Sequence, residues 1–287
     1  MLNSDGIKRL TAAACLAVAA WAPAYADVPA RVVSMNLCTD QLAMLLAAPA
    51  QLISVSRISL DRRVSAMADE AAQYPINAGR AEEVHVLRPD LVVAGVYSNR
   101  ETIALLRRLG IKVVQFDIVN SLADVRARMR QMGNALGREA QAEALIAKFD
   151  ADLAALRIDP ATALPKDEMP RAALYYANGY TSGNESLAGE ILAAAGLRNA
   201  PAEEGYVWGK LPLEMLAMIA PDLMITARRY PGGSRAEEIM DHPVIGELRG
   251  EGGTAALTDH DWVCGTPFVA RAIRDMAQAR RELEARN

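Results

Sequence analysis

Leu87-Arg88-Pro89-Asp90-Leu91-Val92-Val93 and Ile219-Ala220-Pro221-Asp222-Leu223-Met224-Ile225 follow one pattern: the end of a helix, a Pro-Asp step, then an apolar strand. The proline marks the boundary, because the residue before it is pushed out of helical conformation. One such stretch in each half of the chain predicts an internal repeat of fold, though not of sequence along its whole length. Around the first copy, Arg31–Met35, Leu52–Ser56, Leu91–Gly95 and Lys112–Phe116 read as strands. Helices are expected through Leu42, Leu45 and Leu46, over Glu82–Leu87, and over Glu101–Leu109 with Gly110 as its cap. Around the second copy, Ala172–Tyr176, Leu223–Thr226 and Ala255–Thr258 read as strands. Ser186–Ala195, Pro212–Ile219 and Pro267–Glu284 read as helices. This alternation predicts α/β architecture, two lobes with parallel-rich sheets covered by helices.

Between the two halves the strand signal stops. From Ser121 to Leu156 apolar residues recur mostly every three or four positions, including Leu122, Val125, Met129, Met132, Leu136, Phe149 and Leu153. That stripe predicts helix, either one long helix or two in tandem, since Gly133 and Gly137 could bend or break it. Ser121 is a good N-cap, with Asp124 three residues on. Pro160, Pro165 and Pro170 then mark a linker. The expected organisation is a leader (1–26), a first lobe (27–120), an interlobe helix (121–158), a linker (159–170) and a second lobe (171–287).

The leader is read from Lys8 and Arg9, the uncharged apolar run Leu10–Trp21, and the small residues of Pro23-Ala24-Tyr25-Ala26. The run falls short of the roughly 20 apolar residues that span a bilayer. Cleavage after Ala26 and work outside the cytoplasm are therefore expected, in preference to lipid attachment at Cys15. The full sequence is 52 % hydrophobic, 23 % charged and 5 % aromatic, with a net charge of −4. An acidic balance argues against a nucleic-acid partner, whose affinity comes largely from clustered Lys and Arg. Beyond the leader only Cys38 and Cys264 remain of the three cysteines. In an oxidising compartment they either bond to each other or stay as buried thiols, and the sequence leaves both open.

Motifs for chemistry are missing. No dinucleotide or phosphate loop and no H-E-x-x-H occurs, and His85, His242 and His260 share no ligand spacing. His260-Asp261 could form an acid–base pair in a secreted hydrolase, yet no nucleophile accompanies it. A carrier of bare metal is disfavoured by the missing ligand spacing. What stands out is an array of aromatic and basic residues at strand ends, where open α/β sheets bind ligands. It comprises Arg57, Tyr97, Tyr180, Arg228, Arg229, Asp261 and Trp262, with Tyr206 and Trp208 ahead of a helix. Aromatic area with Arg suits a bulky, partly anionic small molecule.

The order of Arg31-Val32-Val33-Ser34, Ala81-Glu82-Glu83, Leu87-Arg88-Pro89-Asp90, Leu109-Gly110-Ile111-Lys112-Val113, Thr181–Ser186, Trp208, Glu214, Pro221-Asp222 and Asp261-Trp262 resembles the periplasmic binding proteins of ABC importers for cobalamin and iron chelates. The resemblance runs nearly end to end beyond the leader. It implies two α/β lobes joined by one long helix and ligand capture without covalent chemistry. It also implies docking on an inner-membrane permease and ATPase through Glu82 and Glu214. The protein is expected as a periplasmic monomer without a resident cofactor, its cargo carrying iron or cobalt. Trp208 and Asp261 match ligand-touching positions of the cobalamin binder, whereas the tryptophan expected before the first docking acid is replaced by Asn77-Ala78-Gly79-Arg80. Arg57, Arg80, Arg228 and Arg229 lean the cleft toward an anionic iron–siderophore complex, with haem as a further option.

Overall fold

The computed structural model describes residues 28–158, 164–227, 234–251, 253–257 and 259–286. The expected leader, Arg228, Arg229 and part of the linker lie outside the described residues. The first lobe runs β1 (Val32–Ser34), α1 (Leu37–Leu46), β2 (Leu52–Ser56), α2 (Ala68–Ala71), β3 (Ile76–Asn77), α3 (Ala81–Val86), β4 (Leu91–Gly95), α4 (Arg100–Arg108) and β5 (Lys112–Phe116). Its strands form one parallel sheet in the order β3-β2-β1-β4-β5. After α5 (Leu122–Leu136) and α6 (Glu139–Ala155), the second lobe runs β6 (Arg171–Tyr175), β7 (Tyr180–Ser182), α7 (Leu187–Ala194), β8 (Arg198–Asn199), α8 (Ala200–Glu203), β9 (Trp208–Lys210), α9 (Leu213–Ile219), β10 (Leu223–Ala227), α10 (Pro243–Glu251), β11 (Gly253–Leu257), α11 (Asp259–Trp262) and α12 (Val269–Glu284). A second parallel sheet has the order β11-β10-β6-β8, and β7 pairs antiparallel with β9.

The repeat announced by the Pro-Asp stretches holds at the level of single hydrogen bonds. Asp90 accepts from the backbone N–H of Arg31 at 2.9 Å, and Asp222 accepts from that of Arg171 at 2.7 Å. The guanidinium of Arg31 donates to the Leu87 carbonyl at 2.6 Å, and that of Arg171 to the Ile219 carbonyl at 2.9 Å. In each lobe an arginine at the start of a central strand thus satisfies a carbonyl left open at the end of a helix. The residue between helix and proline, Arg88 or Ala220, takes a left-handed conformation, with φ of 48° and 42°.

Of the two arrangements the sequence left open, the interlobe segment takes two helices, and not the one long helix that the resemblance implied. Gly137 sits at φ 66°, which a glycine adopts at little cost, and ends α5. The chain then reverses, so that α5 and α6 lie side by side and antiparallel. Arg126 pairs with Asp150 at 2.6 Å and Arg130 with Glu143 at 2.6 Å, and the Arg126 guanidinium stacks over the Phe149 ring. Gly133 permits the close approach, since a Cβ there would stand 2.5 Å from that of Ala142. Both helices reach the second lobe: α6 packs against α12, and the Leu122 N–H at the start of α5 donates to the Glu190 carboxylate of α7 at 2.6 Å. The apolar stripe is real, but it served two helices facing each other.

Successive strand residues point to opposite faces of a sheet. Val32, Leu91 and Val93 face a central core that also takes in Met129, Ile146 and Phe149 of the helix pair and Leu174, Ile225 and Ile273 of the second lobe. Val33 and Val92 face outward under α3 and α4, and Ala173 and Met224 lie under α9 and α10. One shared core therefore binds the lobes together, while α3 and α9 ride on their outer faces.

Asp40 of α1 is fully buried. It accepts from the backbone N–H of Ser56 at 3.2 Å and from the hydroxyls of Ser56 and Ser59, pinning the turn that carries Arg57. Loss of water raises its pKa above the ordinary 3.8, and the serine hydrogen bonds only partly offset this. A carboxyl whose folded pKa is raised contributes stability that is fully present below its unfolded pKa and is lost as pH rises through the folded pKa. The stability difference between wild type and Asp40→Asn should therefore move in favour of the variant as pH rises from 3.8. Chemical denaturation of both proteins across that range tests this, and a difference independent of pH would refute it.

Candidate functional site

The order of the first sheet reverses between β1 and β4, and ligands of open α/β sheets bind beyond the carboxyl ends of strands at such a reversal. A cavity of about 310 Å³ lies there. Its floor is the start of α1, with Asn36, Cys38 and Thr39. Its walls are Gly95 to Tyr97 after β4 and Phe116 to Val119 after β5, with Arg128 from α5. Val263 and Gly265 close it from the second lobe.

Local sequence explains how these groups are held. Asn36 caps α1 by accepting from the Cys38 N–H at 3.0 Å. Gly95 leaves room for that side chain, as a Cβ there would come within 3.2 Å of it. The lobes meet at the rim: a Cβ on Gly265 would stand 2.3 Å from Val119. Beside that contact Cys38 and Cys264 form a disulfide, with their Cα atoms 5.1 Å apart. Arg128 lies 3.5 Å from Asp117, so the cavity holds a partly exposed ion pair within a mostly apolar lining.

The residues expected at the site are not gathered as one set. Tyr97 stands on the cavity rim, 84 % exposed. Tyr180 and Trp208 face one another across the β7–β9 pair, ring centroids 5.5 Å apart, with Trp208 75 % exposed. The strand β7 follows the carboxyl end of β6 in the second lobe, and neither ring lines the cavity. Trp208 opens the short strand β9 just ahead of α9, so it precedes a helix as expected, and the strand itself carries no signal in the sequence. Arg57 and Arg80 are exposed at the end of β2 and the cap of α3, and neither lines the cavity.

Asp261 and Trp262 are turned inward. The Asp261 carboxylate accepts from the Arg271 guanidinium at 2.9 Å, lies 3.4 Å from His260, and is 3 % exposed. Trp262 is part of the central core. Their neighbours Val263 and Gly265 reach the cavity instead. Arg271 holds the Oδ1 of Asp261, and the Oδ2 faces His260. Among the described residues no group of three or more His, Cys, Asp or Glu side chains could hold a metal ion, and no helix is long and apolar enough to cross a membrane.

Asn36, Gly95, Val96, Ile118, Val119 and Val263 escaped the sequence reading. They lie in strand-end loops, but most of this lining is small or aliphatic and carries no aromatic or basic signal. Glu82 and Glu214 are exposed in the first turns of α3 and α9, and no ion pair engages either among the described residues.

Known proteins share this plan. A cobalamin-binding protein of Halobacterium salinarum is 28 % identical over 202 residues, covering 69 % of this chain and 54 % of the relative. A Bacillus subtilis protein described as an uncharacterized ABC transporter substrate-binding lipoprotein, YvrC, is 22 % identical over 204 residues, covering 69 % and 63 %. The chain thus spans about half to two thirds of the length of the curated relatives it matches. The structure of the periplasmic heme-binding protein RhuT from Roseiflexus sp. RS-1 aligns with a TM-score of 0.72 at 22 % identity, over 88 % of this chain and 98 % of that one. The vitamin B12 binding protein BtuF of Vibrio cholerae aligns with a TM-score of 0.66 at 17 % identity, over 90 % and 98 %. The family profile described as periplasmic binding protein matches residues 32–249. That match, which takes in both walls of the cavity and runs into α10, covers most of the chain: the protein belongs to the periplasmic binding protein family, whose members are substrate-binding proteins and not enzymes.

Proposed function

We propose that this protein is the substrate-binding subunit of an ABC importer, and that it captures an iron chelate or a corrinoid between its lobes in the periplasm. The observation that carries this reading is the interlobe cavity, apolar on Ile118, Val119 and Val263, with Tyr97 on its rim and the Tyr180–Trp208 pair presented from the second lobe. At about 310 Å³ it lies at the small end of ligand sites, so a macrocycle or a chelate would extend onto those exposed rings. Relatives that bind cobalamin and haem support the ligand class. Arg57 and Arg80, exposed on the first lobe, add positive charge that favours an anionic complex, and the metal belongs to the cargo. Export through the leader ending at Ala26 brings the protein to that compartment. Glu82 and Glu214 then present it to the permease.

Tryptophan fluorescence tests the reading. The protein lacking residues 1–26 is titrated with a ferric hydroxamate siderophore, haem, cyanocobalamin and ferric ion. Quenching by one chelate is expected, and Trp208→Phe should remove most of the signal because Trp262 is buried in the core. Haem alone giving the response would narrow the cargo to haem. Silence with every chelate would overturn the proposal.

A further inference from the structure

We propose that Val86 and Met218 are the apolar anchors of a paired docking surface. Its partner is a two-fold symmetric membrane protein that offers, once per half, a cationic side chain beside an apolar contact. The inference rests on the reading of Glu82 and Glu214 as docking acids and goes beyond it.

Val86 and Met218 are 77 % and 78 % exposed, the two most exposed large aliphatic side chains among the described residues. A single exposed apolar residue on a protein surface needs no explanation. Here the two extremes fall at the same position of the internal repeat. Each follows its acid by four residues, Glu82 to Val86 and Glu214 to Met218, and each precedes its Pro-Asp step by three. On a helix, residues four apart share a face, and the second side chain leans back toward the first. Acid and apolar residue therefore form one continuous patch on α3 and another on α9.

The rest of each helix is anchored. Ala81 and Val84 bury the inner face of α3, and Leu216 and Ile219 that of α9. The ends are clamped alike, by Arg31 on the Leu87 carbonyl and by Arg171 on the Ile219 carbonyl. The patches are thus presented in the same way by both lobes. A partner that touched one lobe would leave the second patch without a use, whereas a two-fold partner meets both. Its charge is set by the acids, which lack ion pairs among the described residues. An apolar contact next to each ion pair would also shield it from water, where exposed pairs are weak.

The test measures binding of the intact protein to its nanodisc-embedded permease–ATPase complex by surface plasmon resonance. Val86→Ser/Met218→Ser should bind about 10- to 100-fold more weakly, with each single variant contributing a comparable share. Chelate affinity and melting temperature should stay unchanged, since neither side chain supports the fold. If the serine variant docks like wild type while Glu82→Arg/Glu214→Arg does not dock, the anchors are refuted and the docking acids stand. If neither variant weakens docking, the docking reading fails and the inference with it. An effect confined to one lobe would overturn the two-fold partner, and a loss of folding in the serine variant would make the residues structural.

Discussion

Replacing Cys38 and Cys264 together with serine is expected to lower the melting temperature by about 10 °C. The bond closes a separation of 226 residues, nearly the whole chain after the leader. In the chain-entropy view, cross-linking so distant a pair removes much of the freedom of the unfolded state, worth about 3–5 kcal/mol for a loop of this order. A shift of 2–4 °C per kcal/mol is typical of a domain near this size, so several kcal/mol becomes about 10 °C. Position adds a second effect. Cys38 lies in the first turn of α1 on the cavity floor, and Cys264 lies between α11 and α12 of the other lobe. The bond consequently ties the lobes beside the place where Gly265 meets Val119. Calorimetry of wild type, reduced wild type and the double serine variant measures the first effect, and small-angle scattering without ligand measures widening of the cleft. A variant that melts within about 2 °C of wild type would show that the shared core alone holds the lobes.

Reversing both docking acids, Glu82→Arg with Glu214→Arg, is expected to abolish uptake while leaving chelate affinity intact. Each exposed carboxylate would meet a cation of the permease, and reversal replaces attraction by repulsion. Losing a charge pair that is desolvated in a complex costs about 2–5 kcal/mol, so two reversals weaken docking by at least about 1000-fold. Both acids lie in first helical turns, where a negative charge also favours the helix dipole, but that term is only about 0.3–1 kcal/mol at an exposed site. The fold should therefore survive, and binding by fluorescence together with transport into proteoliposomes separates the two roles. Chelate affinity falling along with transport would mark the acids as structural.

Much of the fold was legible because local rules decide it. Strands β4 and β5 coincide with the runs Leu91–Gly95 and Lys112–Phe116, and β2 with Leu52–Ser56. Ser121 and Ser186 cap their helices, accepting from the N–H groups of Asp124 and Gly189. What escaped was short or decided by its neighbours. The two-residue strands β3 and β8 carry no periodicity, and β7 and β9 exist by virtue of pairing with each other. The continuity of the interlobe helix stayed open in the sequence, because a helical stripe looks the same whether it faces the core of one lobe or a second helix.

The candidate site divides in the same way. Strand ends, the Pro-Asp repeat and the two helix-start acids are properties of segments a few residues long, where backbone preference and apolar period act without knowledge of distant partners. The sequence by itself thus determined the α/β class, the two lobes and the positions of Tyr97, Trp208, Glu82 and Glu214 on exposed ends. Which side chains enter the cavity was decided by tertiary structure alone. Asp261 is drawn inward because Arg271, one helix later, neutralises it, and Trp262 because the central core offers its ring more apolar contact than the cleft does. Cys38 and Cys264 bond because folding brings them within reach across 226 residues. Long-range burial and charge pairing act between residues that the sequence does not place together, and at this site they override the local strand-end rule.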